Sequence, residues 1–324
     1  MIVRWGLGAL ERVLGDLRIE RPLLVTTERW AELELPVSGR FTGVRPHAPS
    51  ESVSAATEAA ARYDGLVALG GGSAIDTAKA VSAQTGLAVV AIPTTYSGAE
   101  WTGGFGVRDE TRGVKGGGSG DPPAAIVYEP ELTLGLPARE TGGTAMNALA
   151  HCAEALYVSG RNPDADADAL EGARLISSRL PGVLVHPLDL AARRELLEGA
   201  MHAGSALAGA GLGLAHAMAQ ALGGRFGISH GAANAVCLAP ALRFNLPVAR
   251  VEIERFGEAI GASDAVQGVE RLKRLAGFGL LRELRVPASG LVEVAGLAAA
   301  RPGVRANPRP ASAEEIAEIL RSVW

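Results

Sequence analysis

Apolar positions fall into two regimes along the chain. In the first third they come as short solid runs: Leu23-Leu24-Val25-Thr26-Thr27, Leu66-Val67-Ala68-Leu69, Ala88-Val89-Val90-Ala91-Ile92 and Ala124-Ala125-Ile126-Val127-Tyr128. Runs that are apolar on both faces suit the strands of a parallel sheet covered on both sides. Between the second and third runs, Ser73-Ala74-Ile75-Asp76-Thr77-Ala78-Lys79-Ala80-Val81 has helical spacing, which completes a strand–helix–strand unit. Gly103 to Asp121 is rich in glycine and charge and reads as a hairpin or a mobile loop. After Pro137 the period becomes helical and strand signals nearly vanish, with Pro181, Pro187, Pro240, Pro247 and Pro287 as punctuation. The pattern predicts an α/β domain over residues 1–136 and an all-α domain over residues 137–324. Asp164-Ala165-Asp166-Ala167-Asp168, after Asn162-Pro163, reads as a solvated helix start, where the dipole favours carboxylates. The loop geometry of a calcium site is missing there.

Composition narrows the class. A chain of 324 residues suits two domains, and 48% hydrophobic with 20% charged residues is the profile of a globular protein. The net charge of −4 is spread without long runs, which argues against a nucleic-acid or membrane partner held by bulk electrostatics. MIVRWGLGALERVLGDL at the start has no apolar run long enough for a signal peptide or a membrane span, so a cytoplasmic location is expected. Cys152 and Cys237 are the two cysteines, both in apolar helical contexts, and read as buried free thiols.

Two loops carry candidate ligand chemistry. Leu69-Gly70-Gly71-Gly72-Ser73 joins a buried strand to a helix. Glycines let the backbone approach a diphosphate, and the helix N-terminus offers N–H donors and a positive dipole. Ser73 suits a cap or a phosphate contact. The spacing is neither GxGxxG nor GxxxxGK[ST], so an ordinary dinucleotide fingerprint and a P-loop are both disfavoured. Ile92-Pro93-Thr94-Thr95-Tyr96-Ser97-Gly98-Ala99-Glu100 also follows a strand, where open α/β sheets bind ligands. The bland alternatives are a tight turn and a hydroxyl-stabilised turn that bind nothing.

Three histidines fall in the helical half. Asn147 and His151 are four residues apart in TAMNALAHCAEALY and share a helix face. His216 lies in GLGLAHAM and His230 in GISHGAAN, each beside small residues that leave room for a ligand. Three imidazoles with an acid suit zinc or iron. Without one they suit proton donation or anion contacts. His47, His186 and His202 lack such a setting and read as ordinary.

The motifs GGGSAIDTAKA, IPTTYSGAE, NALAHCAEALYVS, GLGLAHAMAQALGG and SHGAANAV resemble, in order, those of the iron-containing (group III) alcohol dehydrogenase superfamily, over about residues 4–250. The resemblance implies the dehydroquinate synthase-like fold of that superfamily: an α/β N-terminal dinucleotide-binding domain and an all-α C-terminal domain, with the active site in the cleft between them. Metal-dependent members carry Asp where Asn147 stands. The Tyr96-containing loop, Asn147 and Tyr128-Glu129-Pro130-Glu131-Leu132-Thr133-Leu134 look like the maleylacetate reductase branch, which reduces a carbon–carbon double bond with NADH or NADPH and is thought not to need a metal. The chain departs from that branch at Ala215-His216-Ala217-Met218-Ala219-Gln220, at Gly231-Ala232-Ala233-Asn234 and after Lys115, which bears on the substrate more than on the fold.

The resemblance implies a division of labour. Gly70, Gly71, Gly72 and Ser73 hold the diphosphate, with Asp76 in the same motif. Thr94, Thr95, Tyr96 and Ser97 lie toward the nicotinamide, and Lys115 reaches the cofactor ribose. Glu28, after the first run, suits an adenosine ribose hydroxyl and would favour NAD over NADP. His151, His216 and His230 are candidates to stabilise the developing negative charge and supply a proton, with Asn147 as a neutral partner. Arg225 and Arg243 are possible cations for an anionic substrate. NADH or NADPH is the expected cofactor, a metal is not expected, and a homodimer acting on a small molecule is the default. The rivals are a metal-dependent alcohol dehydrogenase with Asn147 as a fourth ligand, a non-redox member, and a nucleotide-binding protein with a decayed site.

Overall fold

Alternate residues of a strand face opposite sides, so runs apolar on both faces call for cover above and below. A computed structural model describes residues 1–109 and 114–324, without the side chains of Asp109, Val114 and Lys115. In chain order its first part contains β1 (Ile2–Trp5), α1 (Leu10–Asp16), β2 (Pro22–Val25), β3 (Gly39–Phe41), α2 (Ser50–Ala60), β4 (Gly65–Gly70), α3 (Gly72–Thr85), β5 (Ala88–Pro93), β6 (Gly104–Asp109), β7 (Val114–Ser119) and β8 (Ala125–Tyr128). Six strands form one parallel sheet in the order β1-β8-β5-β4-β2-β3. Leu24, Val67, Leu69, Val90, Ile92 and Val127 pack on Leu10, Val13 and Leu14 of α1. Their neighbours Leu23, Val25, Leu66, Ala68 and Val89 pack on Ala56 and Ala60 of α2 and on Ile75, Ala78 and Val81 of α3.

The four apolar runs are thus the four inner strands. The edge strands β1 and β3 carry weaker signals because they are short and half-exposed, and Arg4 and Arg40 point outward. An edge strand has no need of a second apolar face. From β2 the chain steps to β3 on one side and then to β4 on the other. The ends of β2 and β4 therefore flank a switch point, where open sheets receive ligands. The glycine-rich segment is an antiparallel hairpin of β6 and β7 in its described residues, with Arg108 in register with Lys115.

The chain divides into two compact units, Met1–Gly135 and Leu136–Trp324. The second consists of α4 (Ala138–Ala155), α5 (Pro163–Val185), α6 (Leu190–Ala210), α7 (Leu214–Phe226), α8 (His230–Asn245), α9 (Arg250–Ala259), α10 (Ala265–Leu275), α11 (Leu291–Ala299), α12 (Pro302–Ala306) and α13 (Ala313–Ser322). Side-chain caps begin many of them: Asn162, Asp189, Ser229, Asp264 and Ser312 each accept a hydrogen bond from a first-turn N–H. Pro187, Pro247 and Pro287 lie outside the α-helices, but Pro181 and Pro240 do not interrupt theirs. Pro240 sits in α8, which is buried continuously from Gly231 to Leu242. Packing all round outweighs the roughly 3 kcal/mol that an interior proline costs.

The Asp164–Asp168 stretch does start α5, but it is not wholly solvated. Asp166 is buried and takes Arg255 Nη1 at 2.9 Å and Arg161 Nη2 at 3.4 Å, so tertiary ion pairing overrides the local expectation. Both cysteines are free and buried; burial pushes the Cys237 thiol up to about 12 and Cys152 higher still. No helix among the described residues is long and apolar enough to cross a membrane.

Close crossings hold α4, α5 and α6 together. A Cβ on Gly172 would lie 2.9 Å from Cys152 Sγ and 3.0 Å from the Gly199 carbonyl oxygen. One on Gly199 would lie 2.9 Å from Leu175 Cβ. Gly172→Val is therefore expected to destabilise the helical unit by about 1–3 kcal/mol through overpacking, measured as a lower midpoint in urea unfolding with unchanged slope. An unchanged midpoint would mean that this crossing yields at little cost.

Candidate active site

At the C-terminal end of β4 the chain turns into α3 through Gly70, Gly71 and Gly72. Two of the three have reasons within the protein. Gly70 has φ +147°, a region L side chains avoid. A Cβ on Gly71 would lie 2.9 Å from the Thr95 methyl. Gly72 differs: a Cβ there meets nothing closer than 3.7 Å, so its bareness leaves open space at the first position of α3. Ser73 does not cap the helix; its Oγ accepts from the His47 N–H at 2.9 Å. His47 (φ +65°) and Ala48 (φ +47°) are both left-handed, so a histidine without apparent role braces the glycine turn through its backbone.

Thr94 and Thr95 stand beside this turn at the end of β5. Thr94 is buried, and its N–H donates to the Gly70 carbonyl at 3.0 Å. Thr95 Oγ1 donates to Ser97 Oγ at 3.3 Å. Tyr96 is fully buried, so its ring belongs to the interior rather than to an open nucleotide surface. Asp76 works within the unit: Oδ2 accepts from the Gly106 N–H at 3.2 Å, and Oδ1 lies 3.1 Å from Lys79 Nζ. Glu28 follows β2, where Oε1 accepts from the Thr42 hydroxyl at 2.5 Å. The side chain of Lys115 lies outside the described residues.

Glu100, at the end of the same loop, is 1% exposed. Its Oε1 accepts from the Tyr128 hydroxyl at 3.0 Å, and that hydroxyl accepts from Trp101 Nε1 at 2.7 Å. Burial raises the Glu100 carboxyl to about 7, against lowering by its own backbone, the Tyr128 bond and the Lys79 charge.

The second unit gathers the histidines. Helices α4 and α8 approach so closely that a Cβ on Gly231 would lie 2.5 Å from the Gly143 carbonyl carbon. One turn further along each helix stand Asn147 and Asn234, and Asn234 Nδ2 donates to Asn147 Oδ1 at 2.6 Å. Asn147 Nδ2 then lies 3.4 Å from His151 Nε2. The His151 and His216 rings stack, with centroids 4.6 Å apart and planes 14° from parallel. His230 is the first residue of α8, exposed, behind the Ser229 cap. Burial holds His151 well below the usual imidazole range, and the charges of His216 and His230 lower it further, so it is neutral near neutral pH. His151 Nδ1 and His216 Nε2 are buried without a hydrogen-bond partner among the described residues.

The carboxylate that organises this cluster is Glu154, fully buried at the end of α4. Oε2 lies 2.6 Å from His216 Nδ1 and accepts from the Gly213 N–H at 2.7 Å. Oε1 accepts from the N–H groups of Ala215 (2.7 Å) and His216 (3.3 Å). A carboxylate of α4 thus satisfies the open first turn of α7, where the dipole favours it. Bonds to a charged acceptor contribute about 1.5–3 kcal/mol each, against a desolvation cost of several kcal/mol. The signal for Glu154 in the sequence is a carboxylate within the apolar second half of its helix, three residues after His151.

The two arginines lie in the last turns of α7 and α8. Arg243 is in the last turn of α8, thirteen residues after His230, about 20 Å along the same helix. Arg225 is in the last turn of α7, with Nε 2.8 Å from Glu293. The donor set also suits a resident divalent metal poorly. The oxygen of Asn147 already accepts from Asn234, its amide nitrogen faces His151 Nε2, and Glu154 is committed to α7 and His216.

A glycine turn at a sheet switch point and a helical unit with paired buried imidazoles are the parts of a dinucleotide-dependent oxidoreductase. The chain belongs to the iron-containing alcohol dehydrogenase family: the model "Iron-containing alcohol dehydrogenase" matches residues 3–129, and "Fe-containing alcohol dehydrogenase family, C-terminal" matches residues 141–324. It is an NAD(P)-dependent oxidoreductase, similar to the maleylacetate reductase branch. The maleylacetate reductase of Burkholderia cepacia is 35% identical, over 99% of this chain and 95% of that one. The structure of maleylacetate reductase from Agrobacterium tumefaciens matches with a TM-score of 0.90 and 32% identity, over 100% of this chain and 95% of that one. An iron-containing alcohol dehydrogenase from Corynebacterium glutamicum matches with a TM-score of 0.91 and 30% identity, over 100% and 94%.

Two outcomes test these readings. Gly72→Ala meets no clash, so it is expected to melt at or above the wild-type temperature while NADH binding weakens at least tenfold by fluorescence titration. An unchanged affinity would place the diphosphate elsewhere. For Glu100, the folded protein keeps the proton up to about pH 7, whereas an unfolded carboxyl near 4.5 has lost it. Stability from this group is full below about 4.5 and lost as pH rises through about 7. Glu100→Gln should therefore gain on the wild type by up to about 3 kcal/mol between pH 4.5 and 8 in denaturant melts. A pH-independent difference would show that Glu100 titrates normally.

Proposed function

We propose that the protein reduces the carbon–carbon double bond of maleylacetate to give 3-oxoadipate, using NADH or NADPH and no metal. Residues 1–136 act as the dinucleotide-binding domain and residues 137–324 as the substrate and catalytic domain. The observation that carries the metal-free part is the amide of Asn147, held by Asn234 so that its nitrogen faces His151 Nε2. The relatives named above support the substrate.

When bound, the reduced nicotinamide supplies a hydride. The Gly70–Gly72 turn and the start of α3 hold the diphosphate by backbone N–H groups and dipole. Reduction of a double bond conjugated to a ketone leaves an enolate, whose oxygen needs a hydrogen-bond donor and whose carbon needs a proton. His151 and His216 offer two buried ring nitrogens without a hydrogen-bond partner among the described residues, and a desolvated site strengthens each such contact. Neutral His151 suits donation without charge, and exposed His230 adds a titratable group beside it. The proposal includes a homodimer in the cytoplasm, with neither membrane nor nucleic acid as partner.

The test is oxidation of NADH and of NADPH with maleylacetate, before and after exhaustive chelation. Turnover is expected to survive chelation within about twofold, a change of less than about 0.5 kcal/mol in the barrier. Turnover lost on chelation and restored by iron or zinc would make Asn147 a working ligand. No turnover in either state would remove maleylacetate from the reading.

A further inference from the structure

We infer that Glu154 is a positioning residue for proton delivery: it commits Nδ1–H of His216, so that every proton His216 exchanges passes through Nε2. The role in turnover rests on the reductase reading above, but the arrangement itself does not.

The four contacts of the carboxylate leave little choice of geometry. Three are backbone N–H groups of Gly213, Ala215 and His216, fixed by the helix that they begin. Those groups are donors whatever the pH, so the oxygens of Glu154 serve as acceptors. The fourth contact is His216 Nδ1 at 2.6 Å, and an acceptor there requires the ring nitrogen to carry its hydrogen. Gly213 is what permits this approach, since a Cβ on it would lie 3.0 Å from Oε1 and 3.1 Å from Cδ. His216 has no freedom to turn its ring over. It is 1% exposed, stacked on His151, and its own backbone N–H donates to the same carboxylate. The remaining ring nitrogen, Nε2, is buried with no partner among the described residues. Such an atom is satisfied by what enters the site.

The partition between the two stacked rings follows. His151 lies against the amide of Asn147, whereas His216 lies against a buried carboxylate. Of the two, His216 is built to carry a positive charge during turnover. In the step assigned to it, the enolate electron pair forms a C–H bond with the proton on Nε2. The N–H bond electrons return to the ring, which is left neutral with Nδ1–H on Glu154. Water then returns a proton to Nε2.

The experiment has one arm without substrate and one with it. Nitrogen-15 spectra of histidine-labelled protein with NADH report the tautomer of His216, assigned by its loss in His216→Gln. Neutral His216 is expected as the Nδ1–H form in the wild type. In Glu154→Gln the side-chain amide can donate to Nδ1, and the signals are expected to change to the Nε2–H form. Turnover with maleylacetate is expected to fall by about 100-fold or more in kcat, with KM and NADH affinity within about threefold. Wild-type His216 in the Nε2–H form would overturn the inference, even if Glu154→Gln failed to fold. So would Glu154→Gln with wild-type kcat. If the wild type does not turn over maleylacetate, the substrate reading fails, and the spectra alone decide whether Glu154 holds the tautomer.

Discussion

The helical unit depends on one buried carboxylate. Glu154 has no access to solvent, so its charge must be met inside the protein. It sits near the C-terminal end of α4, where the helix dipole opposes a negative charge. The first turn of α7 offsets that cost, because its N–H groups have no partners of their own and its dipole has the favourable sign. One residue therefore joins two helices, closes the open end of one of them, and orients the imidazole that α7 carries in its third residue.

Glycine contacts do for α4 and α8 what the carboxylate does for α4 and α7. The approach to Gly143 is too close for a side chain at Gly231, and it brings Asn147 and Asn234 within 2.6 Å. His151 lies between these two devices, with the amide pair on one side and the stacked His216 on the other. Its depressed basicity is a consequence of where the helices put it, since burial is the largest cause. In the sheet unit the same economy appears at Gly70 and Gly71, where a left-handed turn and a close approach of Thr95 shape the start of α3.

Particular residues show how far the chain could be read in advance. The inner strands were visible because burial on both faces demands unbroken apolar runs, while β1 and β3, at the edges, needed no such run. The hairpin of β6 and β7 was visible as glycine-rich punctuation. Pro240 misled as a boundary because packing on every side of α8 holds that helix through it. Arg243 was a reasonable cation for an anionic substrate, yet helix rise alone carries it to the far end of α8 from His230. Tyr96 stood in a promising loop and is buried.

Local chemistry in the sequence settled the alternation of strand and helix, the glycine turn at Gly70–Gly72 and the sharing of a helix face by Asn147 and His151. Each of these follows from periods and steric rules that act within a few residues. Only the tertiary structure decided which partners those groups meet. The bond from Asn234 to Asn147 spans 87 positions of the chain and the contact of Glu154 with His216 spans 62. No local rule reaches that far, because hydrogen bonds and desolvation depend on which surfaces the fold presses together.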